Sequence, residues 1–136
     1  MLNRQPEDEI LNIVKEFGCG FIAFSPLAQG VLTNKYLNGI PEHSRAADPT
    51  GFLQREQVTE QLIDKVKQLN EIALQRGQTM AEMALAWVLR DDRVTSLIVG
   101  ARNVDQLGDN LKALKNLSFS SEELHRIDTI LDGATL

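Results

Sequence analysis

Two short apolar runs limit the fold of this 136-residue chain more than any other feature, because they are its only strand-like segments. Residues 20–24 form a nearly continuous apolar run that Ser25 and Pro26 follow. Such a run is typical of a strand buried on both faces of a parallel sheet. Residues 94–99 form the second run, which ends at Gly100. Helical patterns lie between them, so the strands are predicted to pair in parallel through a right-handed crossover.

Amphipathic patterns predict five helices around the two strands. Thr79 and Ser120 each begin a capping box with a glutamate three residues on, and Asn103 is placed to cap a helix with Gln106. Residues 25–53 are rich in turn formers and are predicted to be a long loop, which in a compact domain is usually functional or disordered. The predicted helices and their apolar stripes are 6–17 with Ile10, Val14 and Phe17; 55–76 with Val58, Leu62, Val66, Leu69 and Ala73; 79–90 with Met80, Met83, Ala84, Trp87 and Val88; one from 103 with Val104, Leu107, Leu111 and Leu114; and one from 120 with Leu124, Ile127 and Leu131.

Composition narrows the class of protein. Hydrophobic residues make up 43% of the chain, which is enough for the core of one domain. The formal net charge of −5 argues against a nucleic-acid partner, and no apolar run is long enough to cross a bilayer. The start of the chain lacks the layout of a signal peptide, and the single Cys19 excludes an internal disulfide. We therefore expect a cytoplasmic protein in which Cys19 is a small buried residue.

Two strands are too few for a self-sufficient α/β sheet. Both outer edges of such a pair would leave backbone N–H and C=O groups without partners. A closed (β/α)8 barrel needs about 250 residues, roughly twice the length here. The chain is therefore predicted to be part of a larger sheet. It could be a fragment of a longer protein, a truncated gene product, or a protomer that completes its sheet with another copy.

Both strands run into segments that could bind an anion beyond the carboxyl ends of the strands. After the first strand, Ser25 and the amides around Gly30 could donate to a phosphate, with Lys35 and Arg45 as counter-charges. The alternative is an ordinary strand-to-helix turn with solvated cations. The residues alone favour this alternative.

After the second strand, Gly100 and Arg102 directly precede a helix, whose N-terminus offers free N–H groups. Gln106, Asp109 and Asn110 share one face of that helix and could recognise a base or ribose. The alternatives are a structural cap and a solvated surface, and the residues alone again favour them.

The remaining polar residues give weaker signals. His43 and His125 have no partner at the spacing of a metal site or a catalytic triad, so neither is predicted to be catalytic. No metal site is predicted. Met80, Met83 and Trp87 lie on a core stripe, and residues 91–93 are predicted to form a solvated turn that ends a helix.

Taken together, the two loops resemble the aldo-keto reductases. Residues 24–36, which read FSPLAQGVLTNKY, resemble the seventh strand and loop of that family. Residues 94–110 resemble its eighth strand and the following helix, and residues 77–89 resemble the segment between them. Residues 1–4 look like the end of the sixth strand. The similar branch is the bacterial glyceraldehyde 3-phosphate reductase type, related to potassium-channel beta subunits.

This resemblance implies an α/β fold, the C-terminal portion of a TIM (β/α)8 barrel that is incomplete in this chain, as a single partial domain over residues 1–136. It also implies NADP(H) as the cofactor. Phe24 would stack on the nicotinamide, and Gln106 and Asn110 would hold the adenine, with Asp109 near the adenosine. The pyrophosphate would be lined by Ser25, Leu27 and Gln29 under Lys35 and Arg45, and the 2′-phosphate would meet Gly100 and Arg102.

The catalytic tetrad of the family, Asp, Tyr, Lys and His, comes from the first half of the barrel and matches nothing here. Tyr36, the only tyrosine, lies in the cofactor loop. No catalytic residue is therefore predicted.

Three hypotheses about the function of the chain follow. The chain is the C-terminal part of an NADPH-dependent reductase of small aldehydes and ketones, which needs the missing half. Alternatively, it is a nucleotide-binding module without chemistry, or a truncated product that self-associates. The last is our expectation for this polypeptide alone, and the first for what the sequence evolved to do.

Overall fold

The structure is a computed structural model that describes residues 1–132, so residues 133–136 of the predicted domain lie outside it. Its two strands pair in parallel, with Ile22 opposite Ser96 and Phe24 opposite Ile98. The parallel pairing is thus confirmed, and the sheet is not closed among the described residues. The right-handedness of the crossover stays a prediction. The elements are α1 (Gln5–Asp8), α2 (Ile10–Glu16), β1 (Ile22–Phe24), α3 (Glu60–Gln75), α4 (Met80–Leu89), β2 (Ser96–Ile98), α5 (Val104–Lys112) and α6 (Ser121–Leu131).

Helices α3, α4 and α6 pack together in the core, which the N-terminal segment and the segment after β1 complete. Both predicted capping boxes are present, because Thr79 and Ser120 each accept a hydrogen bond from the amide of a glutamate that bonds back to the cap. Short 3₁₀ turns precede α3, so that helix begins at Glu60, later than predicted. The buried side chains of these helices include Leu62, Val66, Leu69, Ala73, Met80, Met83, Ala84, Trp87, Ile127 and Leu131, as the apolar stripes predicted.

Arg76 ties the end of α3 to the start of α6. Its side chain is only 3% exposed, and its guanidinium lies 3.6 Å from the centre of the Phe119 ring. The same group donates to Glu123 at 2.8 Å and to the carbonyl of Ser118 at 2.9 Å. Burial raises the pKa of Glu123, but hydrogen bonds from Ser120 and Arg76 outweigh it and hold the pKa below its usual value.

Trp87, the single tryptophan, joins α4 to the N-terminal segment. It is 3% exposed, and the guanidinium of Arg90 lies 3.7 Å from its ring centre. Arg4 approaches the same ring at 5.2 Å and binds Glu7 and Asp128. Stacked guanidinium groups add a cation–π attraction to the burial of the indole.

The prediction of a strand buried on both faces is wrong for this chain. Phe24 is 80% exposed, and Ile22 is also exposed. In β2, Ile98 is exposed in the same way. A sheet of two strands leaves these side chains largely uncovered by the described residues.

The predicted helix 6–17 is also wrong in detail. Glu9, with φ −127° and ψ −57°, separates α1 from α2, and no glycine or proline at that position signals the break. Of the predicted stripe, Ile10 and Phe17 are exposed, whereas Leu11 is buried. Cys19, predicted to be buried, is exposed in the turn after α2.

The apolar stripe of α5 faces away from the core. Its predicted members Val104, Leu107 and Leu111 are exposed, and so is Leu114 in the 3₁₀ turn that follows α5. Their helical spacing is correct, but no described element covers them. Within residues 1–132, no helix is long and apolar enough to cross a membrane.

Candidate functional site

The parallel register brings the carboxyl ends of both strands to one edge of the sheet. There the turn after β1 and the turn after β2 line a shared cavity of about 410 Å³. Eight of the eleven predicted site residues lie in its wall: Ser25, Leu27, Gln29, Lys35, Arg45, Gly100, Arg102 and Gln106.

The turn after β1 is conformationally unusual. Ser25, Ala28 and Gln29 have positive φ angles of 51°, 48° and 57°, in a region that residues other than glycine rarely adopt. Within this turn, the side-chain amide of Gln29 donates to the Ser25 hydroxyl at 3.3 Å. Left-handed non-glycine residues cluster at ligand sites, where the surrounding structure holds them in place.

Arg45 folds back onto this turn from a later part of the segment. Its Nη1 donates to Oε1 of Gln29 at 2.7 Å. Thr33, which sequence reasoning did not single out, also lines the cavity and fixes the intervening chain. Its hydroxyl donates to the carbonyl of Gly30 and accepts from the amide of Lys35. Its position just before a 3₁₀ turn is a cap signal that could have identified it.

The turn after β2 is short and leads directly into α5. Asn103 is the N-cap of α5, and its side chain accepts from the amide of Gln106 at 2.8 Å. The side-chain oxygen of Gln106 in turn accepts from the amide of Arg102 at 2.8 Å. The predicted structural cap is therefore present, and it lies within the wall of the cavity. The guanidinium of Arg102 is exposed at the same edge.

Three predicted site residues lie outside the shared cavity. Phe24 lines a neighbouring apolar cavity of about 410 Å³, which also includes Ser25 and Gln29 in its wall. Asp109 is exposed and binds Lys112 at 2.7 Å, and this hydrogen bond raises the pKa of Lys112. Asn110 is buried, and its side-chain Nδ2 has no hydrogen-bond partner among the described residues.

The charge of the shared cavity favours an anion. Lys35, Arg45 and Arg102 lie in its wall, and no carboxylate does among the described residues. Arginine suits phosphate because its planar group can donate two parallel hydrogen bonds. Within residues 1–132, no group of His, Cys, Asp and Glu side chains is arranged to bind a metal ion. The arrangement can therefore bind a phosphorylated ligand, and its wall holds no tyrosine or histidine among the described residues.

Comparison with known proteins adds an independent observation. Residues 1–132 match the sequence model described as the aldo/keto reductase family. L-glyceraldehyde 3-phosphate reductases of Escherichia coli O157:H7 and Escherichia coli strain K12 are 50% and 49% identical, each over 98% of this chain and 40% of the relative. A putative voltage-gated potassium channel subunit beta of Schizosaccharomyces pombe is 38% identical over 96% of this chain and 39% of the relative. The chain spans about two fifths of the length of the curated relatives it matches.

Proposed function

Because this chain belongs to the aldo/keto reductase family, we propose that it is the NADP(H)-binding part of a reductase of small aldehydes and ketones. Membership of this family implies a TIM barrel, in which sites form at the carboxyl ends of the strands. The observation that carries the proposal is the shared cavity, where three cationic side chains from the segments after the two strands line one wall, with no carboxylate among the described residues.

The residues present fit a phosphorylated dinucleotide. Ser25, Leu27 and Gln29 would line the pyrophosphate, with Lys35 and Arg45 as its counter-charges. Gly100 and Arg102 would meet the 2′-phosphate, because Arg102 lies in the same wall and is exposed. The neighbouring cavity shares Ser25 and Gln29, so Phe24 could receive the nicotinamide there.

The adenine contacts would require three side chains of α5 to rearrange. Gln106 lines the cavity, but its side-chain oxygen already accepts from the amide of Arg102. Asn110 is buried and its Nδ2 has no partner among the described residues, so its side chain would have to rotate outward to reach adenine. Asp109 would lie near the adenosine only after release from Lys112.

NADPH supplies a hydride when bound, but carbonyl reduction also needs a proton donor. The tyrosine of the family's tetrad has no counterpart in this chain, because the only tyrosine, Tyr36, lies in the cofactor loop and is buried. Loss of general acid catalysis typically costs about 10²- to 10⁴-fold in rate. We therefore expect this chain alone to bind the cofactor but not to reduce a carbonyl compound.

A second candidate is a self-associating chain without chemistry. The exposed stripe of α5 and the exposed residues Ile22 and Phe24 favour it, because apolar faces and open sheet edges promote association. Sedimentation distinguishes the outcomes, since a stable monomer at high concentration would remove this candidate.

Calorimetry with NADP⁺ tests the main proposal on the 136-residue chain. We expect saturable binding that Arg102→Ala weakens. Arg55→Ala is a matched control, because Arg55 is also an exposed arginine but does not line the cavity. No heat of binding at millimolar NADP⁺ would refute the proposal. NADPH oxidation by this chain with L-glyceraldehyde 3-phosphate would instead refute the absence of a proton donor.

A further inference from the structure

We propose that the buried hydroxyl of Tyr36 is a positioning group that holds Arg45 against the turn after β1. The identity of the anion that Arg45 meets rests on the proposed function, whereas the positioning itself rests on contacts within this chain. Tyr36 would thus tune anion affinity without touching the ligand.

The Tyr36 ring lies directly under the wall of the cavity. Tyr36 is 1% exposed and packs in the core with Val31, Leu32 and Ala46. A Cβ atom built on Gly30 would stand 3.9 Å from Cε2 of Tyr36, so the ring is close to the turn that carries Gln29. One edge of the tyrosine ring therefore lies against the turn after β1.

The hydroxyl of Tyr36 contacts the 3₁₀ turn that carries Arg45. The amide of Ala46 donates to it at 3.4 Å in a buried contact. Ala46 directly follows Arg45 in a 3₁₀ turn, Arg45–Ala47. A buried hydroxyl needs a partner to offset its lost hydration, and this amide provides one. Phenylalanine could fill the same core space, but it could not hold the Arg45 turn.

The side chain of Arg45 completes a closed arrangement. Its guanidinium donates to Gln29, whose turn rests on the Tyr36 ring, while its backbone is fixed through Ala46 and the Tyr36 hydroxyl. Arg45 is exposed, so without these contacts it would sample many positions. A cation fixed before binding costs less conformational entropy when it meets an anion.

A double-mutant cycle with NADP⁺ as the probe tests this role. Tyr36→Phe should weaken NADP⁺ about three- to tenfold, the worth of one hydrogen bond. In an Arg45→Ala background the same substitution should have no further effect, because Tyr36 acts through Arg45. Ile127→Val is a control for simple core damage, since Ile127 is fully buried in α6 and lines no part of the cavity. It should lower the melting temperature and leave the affinity unchanged.

Two ligand-free measurements make the proposal independent of the cofactor. In Tyr36→Phe, hydrogen exchange at the Ala46 amide and tryptic cleavage after Arg45 should both accelerate, whereas Ile127→Val should change neither. Unchanged exchange, or additive losses of affinity in the cycle, would overturn the positioning role. If the wild-type chain binds no NADP⁺, the proposed function fails, and exchange and cleavage alone decide the role of Tyr36.

Discussion

The turn after β1 and the turn after β2 reach the same cavity but are built differently. The first belongs to a long segment with three non-glycine residues at positive φ, a buried tyrosine at position 36 and a side-chain hydrogen bond from Arg45 to Gln29. The second is short and exposed, and the Asn103 cap at the start of α5 holds it in place. The first fixes polar groups through strain and packing, whereas the second presents charge at a helix N-terminus. Substitutions in the first should therefore alter geometry, and those in the second should alter charge recognition.

The largest expected effect is at the turn after β2, where one substitution should lower the affinity for NADPH much more than the affinity for NADH. Arg102→Ala should weaken NADPH about 10- to 100-fold, because a charge-assisted contact to the 2′-phosphate is worth about 1.5–3 kcal/mol. NADH lacks that phosphate and should be little affected. Arg45→Ala provides the contrast from the first turn, since it should weaken both cofactors alike. Calorimetry with each cofactor measures the effects, and equal losses for Arg102→Ala would refute its assignment.

A smaller effect should show what orders the second turn. Asn103→Ala removes the acceptor of the Gln106 amide and should lower the free energy of unfolding by about 1 kcal/mol. Asn34→Ala is a matched control, because Asn34 is exposed and its side chain makes no hydrogen bond among the described residues. Urea denaturation measures both variants. A loss no greater than that of the control would mean that the cap does not stabilise this turn.

The smallest effect should have opposite signs in strained and helical backbone. Ala28→Gly relieves a φ of 48° and should raise the free energy of unfolding by up to about 1 kcal/mol. Ala81→Gly, in the first turn of α4, should lower it by up to about 1 kcal/mol. Denaturation midpoints compare the two variants. If both were equally destabilised, the turn after β1 would not be strained.

The core helices could be predicted from the sequence because their signals are local. The Thr79 and Ser120 caps and the stripe from Leu62 to Ala73 need only the chain around them. The parallel pairing also followed from the order of elements, and it places both turns at one edge.

The rest depends on contacts between distant residues. The pattern of Ile22 and Phe24 indicates a strand suited to burial, but exposure depends on which neighbours cover it. The helical spacing of the α5 stripe is a local property and could be predicted. Its exposure depends on which other elements cover it, and the local sequence does not specify that. The bond from Ala46 to Tyr36 spans ten residues of irregular chain, for which no periodicity exists.

The stacking of Arg90 and Arg4 on Trp87 has a practical consequence. Because this indole is the only one in the chain and lies in the core, its emission should report separation of α4 from the N-terminal segment. Trp87 lines the neighbouring apolar cavity but not the shared cavity. Intrinsic fluorescence should therefore follow unfolding of the ligand-free chain, whereas a nicotinamide bound beside Phe24 would share the apolar cavity with Trp87 and should also change the emission.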